Sequence, residues 1–367
     1  MLHQGLYGNA RLAAKAPRDI IPPTMRALVL EQPGRPPTLA VREVPVPAPG
    51  PGEALVEVAA CGFCHHDLLV MAGVLRRGVK PEVVLGHEIA GVVAQLGEGV
   101  TGLQPGDHVV SLLTNACGRC DRCRQGREHR CRQGVGIGHG RDGGFAEYVA
   151  VAQSSLVTIP KSLDLTGAAL LACPLGVVLQ AMQQVARLRP GETVLVTGAG
   201  GGLGVHAVQV GAALGTRVLA VTSSPEKASA LAELGAAEVL EVGPLDFSEV
   251  TLALTQDQGA DVIIDTVGSP LFPSTWRSLA QYGRLVLLGE VAGRPVEVPL
   301  AEAIFRDARI LASSGVSRSL VHQMAGLVSL GRVRPVVSQV LPLEEATTAL
   351  ELVASRRVLG RVVLTAR

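Results

Sequence analysis

Val194-Leu-Val-Thr-Gly198-Ala199-Gly200-Gly201-Gly202-Leu203-Gly204 joins an apolar run to a helix-forming one. Residues 192–197 read as a buried strand and residues 204–214 as a helix, so the glycines occupy a strand-to-helix turn. There they let the backbone approach a pyrophosphate at the positive end of a helix. The G-x-G-x-x-G spacing appears as Ala199-x-Gly201-x-x-Gly204, with alanine in the first place. A glycine-rich turn by itself is weak evidence; the pattern that surrounds it makes it strong.

Downstream, Arg217-Val-Leu-Ala-Val, residues 261–265 and residues 284–288 read as strands, with a helix over 225–234. Apolar strands alternating with helices imply a parallel sheet covered on both faces, the doubly wound α/β arrangement. Upstream the character differs. Residues 25–30, 53–59, 83–100 and 107–113 are β-rich and punctuated by glycine, with a proline-rich connection over 44–52. From Pro335 onward a strand, a helix over 343–355 and a last strand from Arg361 to Thr365 are expected. At 367 residues the chain is long enough for two cores.

Composition narrows the function. Thirty-three basic against 32 acidic side chains give a net charge of +1, which excludes a general footprint for nucleic acid or an anionic membrane. Two charge-free stretches, 165–186 and 193–216, carry glycine, proline or amides and read as buried structure rather than membrane spans. Residues 1–24 read as an N-terminal extension without the pattern of a secretory signal, and a cytoplasmic protein is expected. An aromatic content of 2% argues against an aromatic sugar platform.

The seven cysteines are not scattered. Cys117, Cys120, Cys123 and Cys131 supply four thiolates, enough for a closed tetrahedral zinc with Zn–S bonds of about 2.3 Å. An iron–sulfur cluster is disfavoured: seven residues separate Cys123 from Cys131, no proline follows, and no second set exists. Cys64 and Cys173 remain, with Gly86-His87-Glu88. Two thiolates and an imidazole leave a fourth position open, as a Lewis-acid zinc requires.

Gly86-His87-Glu88-Ile-Ala-Gly91, Cys61-Gly-Phe-Cys64-His-His-Asp67, the four-cysteine lobe and the dinucleotide turn together resemble the zinc-containing alcohol dehydrogenases of the medium-chain dehydrogenase/reductase superfamily. The resemblance covers residues 25–367. It implies a β-rich GroES-like catalytic domain over 25–172 and 333–367, and a Rossmann cofactor-binding domain over 173–332. It implies a catalytic zinc on Cys64, His87 and Cys173, with Glu88 as an exchanging or supporting carboxylate and Asp67 orienting the His87 ring. Two zincs per chain follow, and Cys61 is left as a spare.

On the cofactor side stand Gly198, Ala199, Gly201, Gly202, Leu203 and Gly204, then Thr222, Ser223, Ser224 and Lys227. No carboxylate ends the second strand to hold a ribose 2′-hydroxyl or repel a 2′-phosphate, so NADP(H) is expected over NAD(H). His65 and Arg361 are placed with the cofactor residues. Homo-oligomers, dimers or tetramers, are common among such relatives.

Two positions depart from the family pattern. The hydroxyl residue that passes the substrate proton onward is replaced by His66, and the relay histidine by Leu69. His66 could act as acid or base itself or face the cofactor phosphates. The first reading is hydride transfer between a nicotinamide and a small alcohol, aldehyde or ketone in a cleft between the domains. The alternative, prompted by the likeness of residues 197–209 to acryloyl-CoA reductases, is reduction of an activated C=C bond. A non-catalytic scaffold would have no need of an open metal site.

Overall fold

The computed structural model describes residues 20–242 and 246–366; most of the expected extension, residues 1–19, lies outside them. The described residues form two compact units. One holds those up to Gly176 with Gly315–Gly331 and those from Pro335 on; the other holds Val177–Ser314 and Arg332–Arg334.

In the first unit a sheet runs in the order Leu156–Thr158, His108–Ser111, Glu88–Leu96, Glu53–Phe63, Arg361–Thr365, Val337–Pro342, with Tyr148–Ala152 also paired to Glu53–Phe63. Glu53–Phe63 is the organising strand and is buried along most of its length. Its end sets the site, because Gly62 faces Glu88 on one side and Val363 on the other. Leu28, Leu30, Leu55, Ile89 and Tyr148 fill the core with Phe63 and Phe145, whose rings stack at 5.6 Å.

The second unit is a six-stranded parallel sheet. Its spatial order is Glu238–Glu241, Arg217–Thr222, Thr193–Val196, Ala260–Asp265, Leu279–Leu287, Arg309–Ala312. In chain order that is third, second, first, fourth, fifth, sixth, the dinucleotide-binding order. Val194, Leu195, Ile263 and Ile264 are wholly buried, which is why these strands read as apolar runs.

Two features differ from expectation. Strands Glu238–Glu241 and Arg309–Ala312 gave no sequence signal: each is short, lies at a sheet edge and carries charged residues. Residues 165–186, expected as buried structure, are mostly buried and form helical turns widened at two places. Leu175 donates to the Leu170 carbonyl and Ala186 to that of Ala181, five residues back in each case, and Pro174 can donate nothing. Among the described residues no helix is long and apolar enough to cross a membrane. Cys173–Gly176 and Gly315–Gly331, expected with the cofactor domain, cluster with the first unit, where a Cβ on Gly176 would come within 2.9 Å of Val316.

Candidate metal and cofactor sites

Cys64 follows the organising strand and caps the short helix His65–Met71. Asp67 points back along that helix and accepts a hydrogen bond from the Cys64 backbone N–H at 2.8 Å. Its other oxygen lies 3.3 Å from His87 Nδ1, which turns His87 Nε2 toward the thiols. Glu88 opens the neighbouring strand, and Cys173 sits in the widened turn Leu171–Gly176. One ligand atom from each of Cys64, His87, Glu88 and Cys173 lies within 4.8 Å of the others. All four are buried, as is Asp67.

This arrangement is costly without a cation. Neither oxygen of Glu88 has a well-formed hydrogen bond among the described residues, and burial pushes its carboxyl up to about 7 against the pull of Arg361. The Cys64 thiol is drawn well below its ordinary value by the Cys173 sulfhydryl, and Cys173 is driven correspondingly up. Two soft sulfurs, an imidazole and a buried carboxylate are a donor set that fits zinc.

The four-cysteine lobe is equally compact. Its sulfurs lie within 4.8 Å of one another, with Cys120–Cys123 at 3.6 Å and Cys120–Cys131 at 3.9 Å. Tetrahedral Zn–S bonds of about 2.3 Å give sulfur–sulfur edges of about 3.8 Å. Backbone N–H groups of Arg132 and Cys123 lower the Cys120 thiol to about 6. Burial pushes Cys123 up to about 12.

Arg361 also lies beside Glu88. Expected with the cofactor residues from sequence, it has its guanidinium 2.9 Å from that carboxylate and is 5% exposed. His65 is exposed. His66 sits edge-on to His87, ring centroids 5.2 Å apart, with its Nε2 3.4 Å from His139 Nδ1. His139 was missed from sequence: it stands alone in a glycine-rich segment 73 positions from His66, and no local spacing marks it.

In the second unit Gly198 takes the left-handed conformation (φ +61°), whereas Ala199 does not, so alanine is tolerated in the first motif position. Gly204 cannot be replaced: an added Cβ would lie 2.2 Å from the Gly198 carbonyl oxygen. Leu203 precedes the helix Gly204–Ala213 and provides no side-chain cap for its leading N–H groups. Gly201 and Gly202 complete the turn, and the Gly202 carbonyl lies 2.7 Å from His206 Nδ1. Thr222 is buried and its hydroxyl accepts from the Ser224 N–H, so it shapes the turn. Ser223 is exposed and Ser224 half-buried. Lys227 folds across the glycines, its Cδ 2.5 Å from where a Cβ on Gly200 would stand.

Known proteins are similar to this chain in sequence and fold. The alcohol dehydrogenase GroES-like domain model matches residues 50–161, and the zinc-binding dehydrogenase model matches residues 202–330. An acryloyl-coenzyme A reductase of Metallosphaera sedula is 39% identical, covering 93% of this chain and all of that protein. An alcohol dehydrogenase of Geobacillus stearothermophilus is 34% identical over 93% of this chain and 99% of its own. The crystal structure of an NAD-dependent alcohol dehydrogenase superposes with a TM-score of 0.89 at 36% identity, covering 94% of this chain and 100% of that one.

Proposed function

Since the chain belongs to the zinc-containing alcohol dehydrogenase family of medium-chain dehydrogenases and reductases and is a zinc-dependent oxidoreductase acting on a small molecule, we propose that it reduces the C=C bond of a short enoyl thioester with NADPH. The observation that carries this reading is His66 beside His87 and His139, with Leu69 beyond it. Oxidising an alcohol requires its hydroxyl proton to leave, and the hydroxyl-and-histidine route of the family is missing. Enoyl reduction requires no such departure. Hydride adds to the β-carbon, the π electrons shift toward the thioester carbonyl, and a proton from solvent completes the α-carbon. The likeness to an acryloyl-coenzyme A reductase supports the same reading.

Cys64, His87 and Cys173 would hold the catalytic zinc, with Glu88 beside it. Zinc bound there would supply a Lewis acid to polarise the substrate carbonyl. Asp67 holds the His87 ring, and Arg361 restrains Glu88. Cys117, Cys120, Cys123 and Cys131 would hold a second zinc that staples their loop, making two per chain. The first unit serves as catalytic domain and the second as cofactor domain. NADP(H) is favoured because the second strand ends in Thr222 without a carboxylate and Lys227 lies over the glycine turn.

The chain is proposed to work as a homo-oligomer, dimer or tetramer. Leu300, Ile304 and Phe305 are 72%, 73% and 80% exposed on a helix that precedes the edge strand Arg309–Ala312. Its seven cysteines, none paired in a disulfide, suit the reducing cytoplasm.

The second reading is oxidation of an alcohol or reduction of an aldehyde or ketone, favoured by the likeness to alcohol dehydrogenases. Assays of enoyl thioesters, alcohols, aldehydes and ketones with both cofactors separate the two. Higher kcat/KM on enoyl thioesters with NADPH is expected; higher kcat/KM on alcohols or carbonyls would transfer the assignment to the second reading.

A further inference from the structure

A groove of about 960 Å³ in the first unit lies between the four-cysteine lobe and the helix that begins at Arg318, and its lining includes Arg119, Arg318, Gln133, Gln153, Ser154 and Thr101. Neither guanidinium has an acidic side-chain partner among the described residues, and Arg318 Nε is buried without a hydrogen-bond partner. The carboxylate in the lining, Glu53, is already held by Arg141 at 2.8 Å. Gln153 accepts from the Thr101 N–H through its carbonyl oxygen at 2.9 Å, which leaves its amide N–H groups to donate. In sequence the same lobe carries Arg122, Arg124, Arg127, Arg130 and Arg132 against Asp121 and Glu128; Glu128 lies 3.4 Å from the Arg318 backbone N–H, and Asp121 is paired with Arg132. The groove is therefore a cationic, donor-rich concavity whose lining carboxylate is already engaged by Arg141.

We propose that this groove binds the phosphate-bearing end of a coenzyme A thioester. The inference rests on the enoyl-thioester reading and names the part of the substrate that the metal site cannot recognise. A short enoyl group offers little to bind, whereas the nucleotide end offers a diphosphate and a ribose phosphate, each matched to guanidinium. Arg318 stands two residues from Val316, which meets Gly176, itself three residues past Cys173. At 3.8 Å per residue the path from groove wall to candidate ligand is at most about 30 Å. A long flexible arm is the kind of ligand that joins two such points.

The test compares acryloyl-coenzyme A with the same acyl group on N-acetylcysteamine, which lacks the phosphates, using the zinc-loaded enzyme and NADPH. Arg119→Glu with Arg318→Glu should raise KM for the coenzyme A thioester roughly tenfold or more, leaving kcat and the N-acetylcysteamine KM within about twofold. Arg119→Gln with Arg318→Gln should give a smaller rise in the same direction and guards against misfolding. An unchanged KM for the coenzyme A thioester, an equal rise for both thioesters, or a rise in KM for NADPH instead would each overturn the proposal. If the unmodified enzyme reduces neither thioester, the enoyl reading fails by itself, and calorimetry with free coenzyme A judges the groove. Binding abolished by the double glutamate variant upholds it, and no binding to the unmodified chain overturns it.

Discussion

Arg361 meets Glu88 at 2.9 Å in a place where Glu88 is wholly buried and Arg361 nearly so. The two come from strands that flank Glu53–Phe63, so the pair spans the end of the organising strand beneath the candidate metal ligands. Removing one partner leaves a buried charge uncompensated. Arg361→Met should therefore cost about 3–5 kcal/mol, and adding Glu88→Gln should recover much of that loss. Urea denaturation of both variants checks this; a single variant within about 1 kcal/mol of the parent would mean the pair is not closed in solution.

Gly62 faces the same carboxylate, and a Cβ there would stand 2.0 Å from Glu88 Oε2. Gly62→Ala must push Glu88 aside, at roughly 1–3 kcal/mol. The expected outcome is lower melting temperature together with weakened zinc retention at one site. Wild-type retention after dialysis against a mild chelator would show that Glu88 has room to move.

The two cysteine sets should separate in one experiment. Elemental analysis of the parent should find about two zincs per chain. Cys120→Ser should lose one and destabilise the fold, because a closed thiolate site contributes folding energy. Cys64→Ser should lose the other, keep most of the stability and abolish turnover. Normal activity in Cys64→Ser would remove zinc from the chemistry.

At the cofactor turn, Thr222 accepts the Ser224 N–H, a bond that aspartate can also accept. Thr222→Asp should therefore keep the fold and shift preference from NADPH toward NADH by about tenfold, through charge repulsion of the 2′-phosphate. Lys227→Ala should move the ratio the same way. A parent enzyme with equal or better kcat/KM on NADH would show that this turn was misread.

Ile304 and Phe305 offer a direct test of assembly. Ile304→Glu with Phe305→Asp places charge on a surface that is mostly exposed in the single chain, so the fold should be little affected. Light scattering should report a smaller species than the parent. An unchanged mass would place the subunit contact elsewhere.

What residue type and spacing determine alone is local. The turn from Val194 to Gly204 is legible because a strand, a glycine-rich bend and a helix follow one another without interruption. The four-cysteine lobe is legible because its thiols are packed into fifteen residues. His87, Glu88 and Cys64 sit in short motifs of the same kind. Everything that depends on distant strands meeting was decided by the tertiary structure. The pairing of Gly62 with Glu88 and Val363 brings Arg361 against Glu88, a contact between residues 273 positions apart. His139 reaches His66 only because the segment after the cysteine lobe folds back. The widened turn that carries Cys173 forms because Pro174 cannot donate and the apolar segment around it is buried on every side. The edge strands Glu238–Glu241 and Arg309–Ala312 exist because a neighbour is present to pair with, and no periodicity in their own residues could have announced them.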